Sequence, residues 1–132
     1  MLIRPRVLIA DDHPRFADAE VALLKTSCDV LGTAPDGAAL VSEALRLKPD
    51  VIVADISLPR LNGVDAVHQI RAAGSPAKVV FLTVHSQEEF VTACMAEGAL
   101  GFVHKSRMNT HLVPAIQAAL SGRTYISLPG PR

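Results

Sequence analysis

Three aspartates stand where short apolar runs end. Asp11 and Asp12 follow Val7-Leu-Ile-Ala10, and Asp55 follows Val51-Ile-Val-Ala54. Thr83 closes a third run, Val79-Val-Phe-Leu82, and Lys105 follows a fourth, Gly101-Phe-Val-His104. Apolar runs of this length, capped by polar residues, are the pattern of buried parallel strands. In sheets of that kind ligands bind at the carboxyl ends of the strands. One sheet edge then gathers three carboxylates, a hydroxyl and an ammonium. Clustered carboxylates repel one another unless a cation sits among them, which implies a hard divalent metal. The lysine and the threonine suit the oxygens of a phosphoryl group.

That set points to phosphoryl transfer onto an aspartate. A carboxylate can attack phosphorus and form an acyl phosphate. The reaction asks for in-line approach and charge neutralisation more than for proton transfer. Asp55 is the candidate acceptor, because it stands alone at the end of a central strand. Asp12 and Asp55, and Asp11 by way of water, are the candidates to hold Mg²⁺, with the backbone carbonyl of Ser57 as a further contact. Few protein ligands are needed, since magnesium keeps several of its waters. Lys105 and Thr83 would each take one phosphoryl oxygen.

The elements that must position these groups alternate. Strands are expected near Arg6–Ala10, Asp29–Ala34, Val51–Ala54, Lys78–Thr83 and Gly101–His104. Helical spacing fills the gaps: from Pro14 past Leu24, and over 38–47, 63–73, 87–97 and from Asn109 or Thr110 to Leu120. Asp36-Gly37 reads as a turn or as a helix cap, Asn62 reads as a helix cap, and Ser86 with Glu89 reads as a capping box. The alternation predicts a doubly wound, five-stranded parallel sheet of flavodoxin-like order 2-1-3-4-5, with helices on both faces. In that order the crevice opens beside the first strand where it neighbours the third, and Asp11, Asp12 and Asp55 end those strands. Residues 1–122 are expected to form this unit. Residues 123–132 carry Leu128-Pro-Gly-Pro-Arg132 and read as the start of a linker whose further domain is absent from this chain.

Composition narrows the function classes. In 132 residues, 49% are hydrophobic, enough for one domain with a real core. Thirteen basic and thirteen acidic residues cancel, so no electrostatic footprint for nucleic acid is expected. No signal peptide or membrane span is evident, and Cys28 and Cys94 read as reduced thiols of a cytoplasmic protein. Taken singly, each site residue has an ordinary reading. Asp11-Asp12 is a solvated turn, Lys105 a surface lysine, Thr83 a strand end and Phe102 a core aromatic. The five histidines lack a zinc-ligand spacing.

Together the motifs resemble the receiver domain of two-component response regulators. The segments are Leu8-Ile-Ala-Asp-Asp-His-Pro14, Asp55-Ile-Ser-Leu-Pro-Arg-Leu-Asn-Gly63, Phe81-Leu-Thr83 and Gly98-Ala-Leu-Gly-Phe-Val-His-Lys105, covering residues 6 to about 122. The resemblance implies that Asp55 accepts a phosphoryl group from the phosphohistidine of a sensor histidine kinase. It implies Asp11 and Asp12 as the acid pair, Thr83 as the switch hydroxyl, Lys105 as the partnering lysine and Phe102 as the aromatic that rotates inward on activation. It also implies a changed surface at the fourth helix, fifth strand and fifth helix, with a homodimer possible on activation. Asp11-Asp-His-Pro14, Val84 and Gly122-Arg-Thr-Tyr-Ile-Ser127 resemble the branch whose receivers precede a LuxR-type helix-turn-helix domain, which implies control of transcription. Ser57 and His85 occupy positions that tune dephosphorylation in that family. Ser106 stands where proline is common, so a trans bond after Lys105 is the expectation. Phe102 lacks the hydroxyl of the commoner tyrosine.

Other readings are a stand-alone receiver working by protein contact or phosphorelay, and an aspartyl-phosphate phosphatase. The latter needs an acid two residues after its nucleophile, where this chain has Ser57. The chain is expected to catalyse only its own phosphorylation and dephosphorylation.

Overall fold

The computed structural model describes residues 4–130. The predicted boundaries at Met1 and at Pro131-Arg132 lie outside them. Strands β1 (Arg6–Ala10), β2 (Asp29–Ala34), β3 (Val51–Ala54), β4 (Lys78–Thr83) and β5 (Gly101–His104) match the spacing of the apolar runs. Helices α1 (Pro14–Leu24), α2 (Gly37–Leu47), α3 (Gly63–Ala72), α4 (Glu88–Ala96) and α5 (Met108–Leu120) connect or follow them. The sheet is parallel throughout.

Its order is β2-β1-β3-β4-β5-β6, which corrects the expected five strands to six. The added strand, β6 (Tyr125–Ser127), lies in the segment read as linker and pairs with β5, Phe102 opposite Ile126. A three-residue strand ahead of Pro-Gly-Pro is too short for periodicity to announce. Its register is set instead by the turn at Gly122, whose φ of 75° closes α5.

Strand residues alternate between two cores. Leu8, Ile52, Phe81 and Phe102 pack with Leu40 of α2, Ala66, Val67 and Ile70 of α3 and Cys94 of α4. Val7, Ile9, Val53, Val80, Leu82 and Val103 pack with Leu24 of α1 and Leu112 and Ile116 of α5. Each buried aliphatic or aromatic side chain contributes roughly 1.5–3 kcal/mol relative to exposure. The two layers thereby hold the strand ends, and the carboxylates on them, in fixed relation.

Local signals were met unevenly. Asp36 caps α2 through Ala39 N, and Asn62 caps α3 through Asp65 N. The predicted Ser86–Glu89 capping box does not form. The cap position falls on Gln87, which makes no side-chain cap bond, so α4 begins one residue later. The last helix begins at Met108 because a 3₁₀ turn over Lys105–Arg107 leads straight into it, and it tolerates Pro114 in its interior. There is no cis peptide bond among the described residues, so Lys105–Ser106 is trans.

Candidate functional site

Strand pairing carries the first two carboxylates into place. Asp11 N bonds to Ala34 O on β2, and Asp55 N bonds to Ala10 O on β1, so the ladder continues one residue past each apolar run. Asp11 and Asp55 are buried and Asp12 is exposed. Gly63 fixes the return of the loop after Asp55. It sits so close to the Asp55 carbonyl that any side chain would collide with it, and its own N–H bonds to Ile56 O at 2.7 Å.

Oxygens of Asp11, Asp12 and Asp55 and a ring nitrogen of His13 all lie within 4.8 Å of one another. The sequence reading brought the three acids together but set His13 aside. His13 Nδ1 is 3.1 Å from Asp12 Oδ1 and 3.4 Å from Asp11 Oδ1. A set dominated by carboxylate oxygens, one of them on an exposed residue, fits a hard cation that retains waters.

Lys105 reaches into this cluster from the end of β5. Its Nζ is 2.9 Å from Asp11 Oδ2 and 2.8 Å from Asp55 Oδ2, and it lies 4.3 Å from the centre of the Phe16 ring. Burial works against the ammonium, but the hydrogen bonds it donates to Asp55 and Asp11 outweigh it and raise its pKa. Burial likewise works against the Asp11 carboxylate. Hydrogen bonds from Lys105, the His13 backbone and Glu20 outweigh that and hold its pKa below the usual range.

Glu20 is a residue the sequence reading missed. It lies on α1, is only 1% exposed, and its carboxyl faces Asp11. Burial first, and Asp11 second, push its pKa up to about 9, so it is a neutral acid at pH 7. A glutamate on a helical face that otherwise buries Ala17 and Leu24 was the available signal.

The remaining predicted residues line the approach. Thr83 is wholly buried at the end of β4, and its Oγ1 accepts from His85 N at 3.2 Å. Among the described residues its own O–H meets no acceptor. His85 stacks on Phe90 at 4.5 Å and pairs through Nε2 with Ser57 Oγ at 2.6 Å. Ser57 N in turn donates to Asp55 Oδ1 at 3.2 Å. Val84, 61% exposed, has its carbonyl bonded to His104 Nε2. Phe102 lies entirely within the core, so its ring already occupies an inward position.

Comparison with known proteins agrees with this geometry. The response regulator receiver domain matches residues 7–117. The transcriptional regulatory protein MctR of Rhizobium johnstonii is 33% identical over 124 residues, covering 92% of this chain and 58% of the relative. BvgA of Bordetella pertussis, a putative positive transcription regulator of virulence factors, is 34% identical over 122 residues, covering 91% and 58%. The signal receiver domain of the putative response regulator NarL from Mycobacterium tuberculosis superposes with a TM-score of 0.86 at 31% identity, covering 91% of this chain and 98% of that one. A LuxR-family two-component response regulator from Aurantimonas sp. gives 0.88 at 30% identity, covering 93% and 89%. The chain spans a little over half the length of the curated relatives it matches.

Proposed function

The chain belongs to the response regulator receiver family, and from that premise we propose that Asp55 takes a phosphoryl group from the phosphohistidine of a sensor histidine kinase. The observation that carries this reading is the bridging of Asp55 and Asp11 by the buried Lys105 beside an exposed acid, Asp12. An Asp55 carboxylate oxygen attacks phosphorus in line, and the phosphorus–nitrogen bond breaks with its electron pair passing to the imidazole. Lys105 follows the new charge and pairs with a phosphoryl oxygen. Thr83 donates its free O–H to another. Asp11, Asp12 and the Ser57 backbone carbonyl would hold Mg²⁺, which supplies charge neutralisation at the phosphoryl oxygens.

The chain acts on no separate substrate; its chemistry is its own phosphorylation and the loss of that group. The Ser57–His85 pair, hydrogen-bonded beside Asp55, would set how fast the group is lost. Since the full-length relatives are transcriptional regulators, the output of the switch is control of transcription through a DNA-binding domain, with a second receiver as a partner on activation. This segment carries no net charge with which to grip DNA itself. No helix among the described residues is long and apolar enough to cross a membrane.

Incubation with acetyl phosphate and Mg²⁺, followed by intact mass, tests the assignment. Wild type gains one phosphoryl group, and Asp55→Asn or excess chelator abolishes the gain. Equal labelling of wild type and variant would overturn it.

A further inference from the structure

Strand β6 is tied to the site by a continuous set of polar contacts. Arg107 is the last residue of the 3₁₀ turn that begins at Lys105. Its Nε donates to Ser127 Oγ at 2.7 Å, and its Nη2 donates to His111 Nε2 at 2.8 Å. A guanidinium only donates, so Nε2 of His111 accepts and Nδ1 carries the hydrogen. Nδ1 therefore donates to Tyr125 Oη, at 2.7 Å. Arg107 thus holds both ends of β6: Ser127 directly and Tyr125 through His111 on α5.

The strand is a slight element: it is three residues long, it sits at the edge of the sheet, and its central Ile126 is 50% exposed. Its other fixings are its pairing with β5, a bond from Tyr125 N to Leu100 O at 2.8 Å, the packing of Tyr125 against the core that holds Leu112 and Ile116, and the packing of the following Leu128 against the opposite core. Short edge strands with exposed side chains belong to the low-stability end of a structure and open locally.

We propose that β6 is a latch released by phosphorylation at Asp55, with Arg107 as its catch. The proposal rests on Asp55 being the phosphoacceptor. In the unmodified pocket Lys105 is held by Asp11 and Asp55. A phosphoryl group on Asp55 moves the acceptor oxygens outward, and the ammonium follows them. Lys105 and Arg107 belong to one tight turn, so the displacement reaches the guanidinium two residues on. Hydrogen bonds weaken steeply as distance and angle depart from the optimum, and both Arg107 contacts depend on this geometry. The strand then loses its side-chain hydrogen bonds at both ends. This differs from a change in the α4–β5–α5 surface, because it alters the C-terminal edge strand of the sheet.

Two states biased from two sites require reciprocity. Whatever factor phosphorylation contributes to opening β6, opening β6 contributes to acceptance of the phosphoryl mimic. Amide hydrogen exchange of Tyr125, Ile126 and Ser127 provides the test, with and without beryllofluoride and Mg²⁺. Adduct formation is read independently from the amide shifts of Asp55, Ile56 and Ser57. The latch predicts exchange at 125–127 faster by about tenfold in the adduct, within the usual range of coupled sites. Arg107→Ala and Ser127→Ala should open β6 without any adduct, while amides of β1 and β3 keep their protection. Arg107→Ala should also bind beryllofluoride more tightly. An adduct formed at Asp55 with unchanged exchange at 125–127 would overturn the latch and leave the phosphoacceptor standing. Failure of the adduct to form would overturn both. Unchanged protection of β6 in the two variants would overturn the role of Arg107.

Discussion

Lys105 holds Asp11 at 2.9 Å and Asp55 at 2.8 Å, so removing its charge leaves two buried carboxylates facing each other. Breaking a buried ion pair from one side costs roughly 3–5 kcal/mol. Lys105→Gln is therefore expected to lose about that much stability in chelator, by urea denaturation, and to recover part of it when Mg²⁺ is added. A variant as stable as wild type in chelator would contradict the bridging role. Glu20 adds a pH signature. Its carboxyl titrates near 4.5 when unfolded but only near 9 when folded. Its contribution is complete below about pH 4.5 and is lost as pH rises toward 9, because the unfolded chain releases the proton that the folded chain keeps. In chelator, Glu20→Gln should flatten the fall in stability between pH 5 and 9. Parallel slopes for the two proteins would show that the buried acid does not govern it. Asp11, Asp12, Asp55, Thr83 and Lys105 were legible because each ends an apolar run. Glu20 was not, since a charged residue on an amphipathic helix is ordinarily placed in solvent and only the packed helix reveals that it faces Asp11.

All five predicted strands fall on the expected residues because buried parallel strands read as unbroken apolar runs with sharp polar ends. Helix ends were less legible, as the two caps of α2 and α4 illustrate. Asp36 accepts from Ala39 N at 2.7 Å, whereas Gln87 at the start of α4 makes no side-chain cap bond. The Ser86–Glu89 spacing was suited to a box, but the backbone enters the helix one residue further on. Asp36→Ala should therefore cost about 1 kcal/mol, while Gln87→Asp should gain a similar amount by supplying the missing acceptor. Thermal unfolding of the two variants checks both signs. A loss in Gln87→Asp would mean that α4 is held by packing that the new cap disturbs. The start of α5 was hidden by the 3₁₀ turn at Lys105–Arg107, whose residues have no periodicity to read.

At the scale of the whole molecule, two cores on opposite faces of one sheet fix the strand ends, and the candidate site lies along the edge they define. The order β2-β1-β3-β4-β5 was legible from strand–helix alternation, because crossovers in parallel sheets have one favoured hand. The sixth strand was not, because a three-residue element is specified by its neighbours and not by its own pattern. Of the three aspartates at the acidic edge, Asp55 is the one we propose joins phosphorus. Borohydride reduces an aspartyl phosphate to homoserine and so marks the acceptor permanently. After phosphorylation with acetyl phosphate and Mg²⁺, reduction, digestion and peptide sequencing by mass spectrometry should place homoserine at position 55 alone. Homoserine at position 11 or 12, or at none of the three, would contradict the account.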